Sequence, residues 1–440
     1  MKMGNPATTS PATVRALDIG STVVKLAVLD GAGGLAEQEF FPRDFEAGIA
    51  RQVRGILEQR HIDPSREPIL VCSSANGGLR VGIVALSPLF SGAALRNQVL
   101  LAGANPEFVV SLDDRAGDTR RVDMLLVAGG IDEEDCGVAA DLLEAFDASR
   151  YRFGTLVYCG NRHLAARFKE RHPQAHVIDN PLGSTLSTRV GSVFETVRRA
   201  YLDDLVYKEG VSELPAPLAR AIRPTPEVAS RGLLRSISGQ GSFTIVGSCL
   251  VLDIGGATTD LHYTVECVAE DSPVRPASGL SVARYVFTDL GVFASRDTLM
   301  IQLRSHPQLY ELLSRVLDDD RTREVYAALR EGEFQPSAEL MSYGCLFLAL
   351  DRFSKGGGPG LPRGDLASVA QIILTGGAAQ ALDERVVRRI LGLMLPAGVP
   401  MPLVQVDRRY EIWVAGITWS DGSGHSGVTV DGPLSAGASP

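Results

Sequence analysis

Apolar, β-branched runs separated by amphipathic stretches fill the chain from about residue 14 to residue 420. The strand-like runs in the first half are "VRALDIG", "VVKLAVLD", "PILVCSS", "RVGIVAL", "MLLVAGG", "TLVYCGN" and "AHVIDN". Between several of them the apolar positions move to helical spacing, notably over 90–102, 132–146, 161–171 and 191–205. Strands of this kind alternating with helices predict an α/β fold with largely parallel sheets. A softer region, 209–247, carries "ELPAPLARAIRPTPE" and "SISGQGS", and its prolines and glycines read as a connection between halves. A second α/β unit opens near Ser248 with "SCLVLDIGGATTDLHYTV". Its middle, about 295–353, is helical, with apolar positions at i, i+3 and i+4 in "AELMSYGCLFLALDRF". "SKGGGPGLPRGD" reads as a mobile loop, followed by a strand "VAQIILTGG", a helix, and a last strand "LVQVD".

Two stretches repeat one design more than two hundred residues apart: "ALDIGSTVVK" at 16–25 and "VLDIGGATTD" at 251–260. In the first, an apolar strand ends at Asp18. Gly20 lets the chain reverse and a ligand approach the backbone. Ser21 and Thr22 offer N–H and hydroxyl donors, and successive N–H groups in such a turn form a concave anion site. Lys25 follows on the outgoing strand, either near a bound phosphate or, by strand alternation, turned elsewhere. In the second, Asp253 ends the strand and Gly255, Gly256 and Ala257 make the turn. Thr258 and Thr259 supply hydroxyls, and Asp260 stands on the outgoing strand. Carboxylates beside a polyphosphate suit Mg²⁺, which keeps several waters and takes few protein ligands. Asp18 and Asp253 are therefore the candidate metal and catalytic carboxylates, one of them able to orient an attacking water or hydroxyl. In an empty cleft two such carboxylates would repel each other. A third loop, "IILTGGAAQAL" at 372–382, places Gly376 and Gly377 where a flat nucleoside could lie against the backbone.

Composition narrows the classes. The chain has 440 residues, 45% of them apolar and 22% charged, enough for two or three ordinary soluble domains. The formal charge of −9 argues against a nucleic-acid binder, and the Arg120–Arg121, Arg198–Arg199 and Arg408–Arg409 pairs are scattered. Six cysteines stand singly at Cys72, Cys136, Cys159, Cys249, Cys267 and Cys345 without zinc spacing, and read as buried thiols in a reducing compartment. "MKMGNPATTSPATVR" lacks the apolar core of a signal peptide, and no run of about twenty apolar residues exists to cross a bilayer. The expectation is a cytoplasmic protein with neither membrane nor nucleic acid as partner.

The order DxG, DxGG, TGG resembles the phosphate-1, phosphate-2 and adenosine motifs of the actin, sugar-kinase and heat-shock chaperone superfamily of ATPases. It implies ATP with Mg²⁺ in a cleft between two duplicated actin-like (ribonuclease H-like) lobes. These are expected over 14–247, with an inserted α/β subdomain, and 248–420, flanked by disordered tails at 1–13 and 421–440. Further motifs narrow the resemblance: "VCSSANGGLRVGIVAL", "LLAGANPEFV", "LLVAGGIDEED", "VYCGNR", "VLDIGGATTDLH", "TDLGV" and "VDRRYEIWVAGI". Together they resemble the glutamate mutase L family over about 14–420. That family is regarded as an actin-like ATPase found with adenosylcobalamin-dependent glutamate mutase. By analogy with diol-dehydratase reactivases, its role is taken to be chaperone-like upkeep of the mutase. This sequence departs from relatives at "AGGIDEED" and "HVIDNPLG", outside the nucleotide loops.

The resemblance implies an ATP-hydrolysing accessory protein of low turnover, a chaperone or reactivase. The alternative is a small-molecule kinase or ATP-dependent activating enzyme using the same cleft. No Asp-x-His-x-x-Gly pattern is present, so the chain is not expected to be the mutase itself. Ser73, Ser74 and Asn76 form either a polar ligand loop or a tight loop that satisfies its own backbone. His262 reads as a packed or hydrogen-bonded histidine, Cys159 as a buried thiol, and Asp289-Leu290-Gly291 as a further cleft-lining turn.

Overall fold

The computed structural model describes residues 14–418 apart from 21, 32, 45, 75–78, 115, 133, 135–136, 183–190, 209–212, 242, 273–280, 294, 306–336 and 358–360. Both expected tails, together with Ser21, Asn76 and Cys136, therefore lie outside the described residues.

Strands β1 (Val14–Ile19), β2 (Val23–Leu29), β3 (Leu35–Pro42) and β4 (Ile69–Ser73) begin the first sheet. The chain then builds a separate sheet from β5 (Arg80–Ala85), β6 (Asn105–Ser111), β7 (Asp118–Ala128), β8 (Tyr151–Tyr158) and β9 (His176–Val177). It returns to the first sheet with β10 (Ile222–Pro224), and the last sheet takes β11 (Cys249–Ile254), β12 (Thr259–Thr264), β13 (Val282–Phe287), β14 (Gln371–Thr375) and β15 (Leu403–Val406).

The first and last sheets are copies of one topology. Their orders are β3-β2-β1-β4-β10 and β13-β12-β11-β14-β15, each reading 3-2-1-4-5. In each, the opening hairpin and its third strand are antiparallel, and the last two strands lie parallel to the first. This is the duplicated, two-lobed actin-like α/β fold that the two Asp-Gly hairpins imply. The sheets are mixed rather than largely parallel, because each opens on a tight hairpin. Only the inserted sheet is parallel throughout, in the order β6-β5-β7-β8-β9.

Helices cover both faces of the sheets, so central strands carry no polar alternation: Ala16, Leu17, Asp18 and Ile19 are all buried. The helix Ile49–Gln59 turns Ile49, Ala50, Val53, Ile56 and Leu57 inward, one face of a 3.6-residue repeat. The helix Glu384–Met394 does the same with Val386, Val387, Ile390 and Leu391, and the Asp383 side chain caps it by accepting from Arg385 N–H at 2.7 Å. No helix among the described residues is long and apolar enough to cross a membrane.

Two local expectations change. The region 209–247 is not a plain connection. It holds the helix Ala216–Ala221, β10 and the helix Thr225–Ile237, whose Ala229 and Leu233 join the core beneath the last sheet. Its prolines stand at helix starts, where the missing N–H has no helical partner to lose. "SKGGGPGLPRGD" is also anchored at its described ends. Leu361 is buried, and Gly364 N–H donates to Phe353 O at 2.7 Å, with the Phe353 ring filling the place a Cβ would take. Glycine here serves a close approach, which composition alone reads as looseness.

The helices Thr225–Ile237 and Glu411–Ile417 cross backbone to backbone. A Cβ on Gly232 would strike Ile412 O, and one on Gly416 would strike Val228 O. Gly416→Ala is expected to lower stability by about 1–3 kcal/mol in urea denaturation, the cost of overpacking. Gly55→Ala, on a helix position with nothing within 4 Å, should instead raise it by about 0.5 kcal/mol. A silent Gly416→Ala would show that the crossing yields to a methyl group.

Candidate nucleotide cleft

The two glycine hairpins close alike. Gly20 N–H donates to Val23 O at 3.0 Å, and Gly255 N–H donates to Thr258 O at 2.9 Å. A Cβ on Gly20 would stand 2.7 Å from Val23 O, which is why the turn requires glycine. Arg43 braces the first hairpin: its Nη1 donates to Gly20 O at 3.0 Å and its N–H to Thr22 O at 2.9 Å.

The segment around Asp289-Leu290-Gly291 braces the second. Val292 N–H donates to Gly255 O at 3.2 Å, Phe293 N–H to Gly256 O at 2.7 Å, and Ser295 Oγ to Ala257 O at 2.6 Å. Thr259 Oγ1 donates to Leu290 O at 2.7 Å, so its hydroxyl turns into this brace. Asp289 is held by Arg352 through two 2.9 Å hydrogen bonds. With the carbonyls so engaged, the N–H groups of Gly256 and Ala257 have no protein acceptor among the described residues. Unpaired N–H groups on successive residues are the chemistry of an anion cradle.

The third glycine loop meets both hairpins. Gly376 has φ +93°, and a Cβ there would strike Asp253 Oδ1. Gly377 looks the other way, where a Cβ would find Thr22 Oγ1 and the Tyr410 hydroxyl, each at 3.9 Å. The structure thus brings Gly20, Thr22, Asp253, Gly255–Thr258, Gly376 and Gly377 to one place; Ser21 lies outside the described residues.

The hairpins differ in charge. Asp18 faces Lys25 in the β1–β2 register, whereas Asp253 faces Asp260 in the β11–β12 register. Lys25 Nζ donates to Asp18 Oδ2 at 2.7 Å, and Thr225 Oγ1 (2.8 Å) and Cys72 Sγ (3.3 Å) donate to Asp18 Oδ1. Burial works against the Lys25 charge, but Asp18, Tyr410 and Asp253 outweigh it and hold the ammonium well above its usual range. Asp18 and Lys25 are therefore a neutralised pair rather than a free carboxylate and a free cation, and the expected repulsion between Asp18 and Asp253 is relieved.

Asp260 is neutralised by Arg284, whose Nε donates to Asp260 Oδ1 at 2.8 Å. Asp253 has no hydrogen-bond donor among the described residues. Burial, then the Asp260 charge, push its carboxyl from 3.8 to about 7, against the pull of Lys25 and Arg284. It is the carboxylate of this cleft that a cation would complete. Among the described residues no cluster of three or more His, Cys, Asp or Glu could hold a metal by itself.

Several contributors lie beyond the motif reading. Asp407 is 1% exposed and accepts from Glu411 N–H (2.8 Å), Ile412 N–H (3.1 Å) and Thr375 Oγ1 (3.1 Å), tying the third loop to the helix Glu411–Ile417. Tyr410 lies over Lys25, its ring centroid 4.3 Å from Nζ. A capping Asp before an apolar helical run was a usable signal for Asp407; nothing in the sequence places Tyr410 on Lys25. Ser73 Oγ and Ser74 N–H both bond Ile19 O, so the Ser73 hydroxyl serves the backbone, while 75–78 lie outside the described residues. His262 is buried, its Nδ1 is 2.8 Å from Ser230 Oγ, and burial followed by the Arg284 charge pushes it down to about 3. Cys159 is a buried thiol pushed up by burial.

Two duplicated α/β sheets with three glycine loops converging between them define a two-lobed protein of actin-like architecture. The chain belongs to the MutL protein family, whose model matches residues 14–417. It is similar to Protein MutL of Clostridium tetanomorphum, 26% identical over 308 residues, 64% of this chain and 65% of that protein. The match thus spans just under two thirds of that relative's length. Among solved structures it is similar to component A of the Acidaminococcus fermentans (R)-2-hydroxyglutaryl-CoA dehydratase, with 10% identity, TM-score 0.32, and 92% and 96% of the two chains covered. The 2-hydroxyisocaproyl-CoA dehydratase activator of Clostridium difficile, solved with bound ADPNP, gives 9%, 0.31, and 92% and 93%. At such scores the fold rests on the sheet orders themselves.

The unequal carboxylates give opposite expectations for the ligand-free protein. Asp18→Asn leaves Lys25 buried without its counter-charge and should cost about 3–5 kcal/mol. Asp253→Asn removes a carboxylate that the fold disfavours. Because the folded value is raised, its stabilising contribution is full below 3.8 and is lost as pH rises through about 7. Asp253→Asn should therefore flatten the pH dependence of melting across that window and melt a few degrees above wild type at pH 8. Equal effects of the two substitutions would contradict the assigned charges.

Proposed function

We propose that the chain is an ATP-binding and ATP-hydrolysing accessory protein, a chaperone or reactivase, for an adenosylcobalamin-dependent carbon-skeleton mutase such as glutamate mutase. The observation that carries the nucleotide reading is the meeting of the three glycine loops around one carboxylate, Asp253, that has no hydrogen-bond donor among the described residues. Membership of the MutL family supports the choice of partner. When bound, ATP would supply the phosphoanhydride, and Mg²⁺ the charge neutralisation around it.

The chain's own groups divide the work. The Gly256 and Ala257 N–H groups and the Thr22 hydroxyl are donors for anionic oxygens, while the Thr258 hydroxyl donates to Asp260 Oδ2 at 3.4 Å and would turn from it to serve a ligand. Lys25, kept charged by Asp18, completes a neutral pair with it and fixes the first hairpin. Asp253 is the metal-facing carboxylate and orients the attacking water; Asp18 acts through Lys25. Gly376 and Gly377 leave the backbone open to the nucleoside. The helix crossing at Gly232 and Gly416 gives the two sheets a common pivot, about which ligand-dependent closure would do mechanical work on a partner.

The test is ATP turnover with Mg²⁺, with and without a cobalamin-dependent mutase, and across a metabolite panel. Slow turnover that rises with the mutase is expected. Turnover that depends on a metabolite instead would establish a small-molecule kinase or activating enzyme. No saturable heat at millimolar ATP would end the nucleotide reading.

Gly377→Val is a sharp probe, because a Cβ there would meet, among the described residues, only Thr22 Oγ1 and the Tyr410 hydroxyl, each at 3.9 Å. Ligand-free melting should hold within about 2 °C. The dissociation constant for ATP should rise at least about tenfold, and an unchanged constant would place the nucleoside elsewhere.

A further inference from the structure

Tyr410 is the cleft residue whose chemistry the motifs leave unassigned. It is 5% exposed, yet its hydroxyl has no hydrogen-bond partner among the described residues. Tyr158 donates to Asn161 O at 2.9 Å and Tyr343 accepts from Asp383 N–H at 2.9 Å, whereas the buried Tyr151, Tyr263 and Tyr285 also lack a hydroxyl partner among the described residues; what sets Tyr410 apart is its place beside Thr22, Lys25 and Gly377. The ring is packed while the hydroxyl oxygen is not closed off from solvent, so it opens on the cleft as a donor available to a ligand.

Its placement is enforced. Tyr410 has φ +51°, the left-handed region that a bulky side chain seldom adopts. Asp407 imposes it, accepting Tyr410 N–H on its backbone oxygen at 3.2 Å and the next two N–H groups on its carboxylate. The ring is clamped between Lys25 Nζ, 4.3 Å from its centroid, and Phe40, whose centroid is 5.2 Å away. The hydroxyl then lies 3.9 Å from the point where Gly377 would carry a Cβ, the same distance as Thr22 Oγ1. Two hydroxyls from different lobes thus face one glycine.

We propose that Tyr410 is a ligand-binding residue of the cleft, its hydroxyl donating to an anionic oxygen of the polyphosphate held beside Thr22 and Gly377. This rests on the nucleotide reading above. The ring keeps water from Lys25, and the fixed hydroxyl supplies a donor without the rotamer freedom of a longer side chain. Burial, opposed by Lys25 and reinforced by Asp253, pushes the phenol up to about 12, so it stays a donor throughout the neutral range.

The experiment compares wild type with Tyr410→Phe, which keeps the ring on Lys25 and Phe40 and removes only the oxygen. Binding is measured by calorimetry for ATP with Mg²⁺, inorganic tripolyphosphate and adenosine, alongside ligand-free melting. Expected are unchanged melting, dissociation constants about tenfold weaker for ATP and tripolyphosphate, and no change for adenosine. Thr22→Val should weaken the same two ligands, and the double variant should lose less than the sum if both hydroxyls hold one oxygen. If wild type binds ATP and Tyr410→Phe binds ATP and tripolyphosphate equally well, the assignment of Tyr410 is overturned while the nucleotide reading stands. If only adenosine affinity falls, Tyr410 serves the nucleoside and the proposal is wrong. If wild type binds no ATP, the nucleotide reading fails and this proposal fails with it.

Discussion

A carboxylate and an ammonium face each other across the first hairpin, both nearly removed from water: Asp18 is 1% exposed and Lys25 9%. Either alone would be too costly to bury. Together, with Thr225 and Cys72 donating to the remaining oxygen, they form a neutral and hydrogen-bonded unit at the centre of the molecule. Much is arranged around it. Cys72 lies on β4 and Thr225 begins the helix that follows β10, so the pair gathers three strands of the first sheet. On its open side Tyr410 lies over Lys25 and brings the end of the other lobe to the same spot. The charge pair is where both halves of the duplicated fold meet.

The two lobes are also exchanged in their last helices. The helix Thr225–Ile237 follows the first sheet, but Ala229 and Leu233 lie among Cys249, Val251 and Ile373 of the last. The helix Glu411–Ile417 follows the last sheet, but Trp413, Val414 and Ile417 lie among Ala16, Ala27 and Cys72 of the first. Each lobe is completed by the other's chain, and the two helices touch through glycines. A rotation of one lobe must turn these helices against each other. Thr225 and Asp407, at their beginnings, bond directly to Asp18 and to the third loop. The helix crossing and the cleft are therefore joined by direct hydrogen bonds.

The duplicated fold was legible because the Asp-Gly hairpins are local: an apolar strand, a carboxylate and a glycine turn are adjacent in sequence. The TGG loop was legible for the same reason. What escaped was set across the chain. Proline at a helix start and proline in a linker look alike until the helix has a core to face, so β10 and the helix after it were read as a connection. Gly364 reads as looseness until Phe353 stands against it. The positions of Asp18 and Asp253 at strand ends were readable, but their inequality was not. It depends on which residue lies opposite in register, Lys25 or Asp260, and on Arg284 arriving from a third strand.

That inequality gives the duplication its use. Two identical hairpins would place two like carboxylates in one cleft, each disfavouring the other's charge. Lysine opposite Asp18 silences one of them in a neutral pair. Aspartate opposite Asp253 does the reverse: with burial, it pushes that carboxyl up to about 7. The tension in the second hairpin is contained by Arg284, and the same guanidinium donates to Leu100 O at 2.7 Å, on the helix Ala93–Leu101 of the inserted sheet. Arg96 of that helix lies over Tyr285, with its guanidinium carbon 4.5 Å from the ring centroid. The charge that keeps Asp260 buried is thus held in place from outside the lobe. Asp253, through Asp260 and Arg284, is electrostatically connected to the part of the chain that has no counterpart in the duplication.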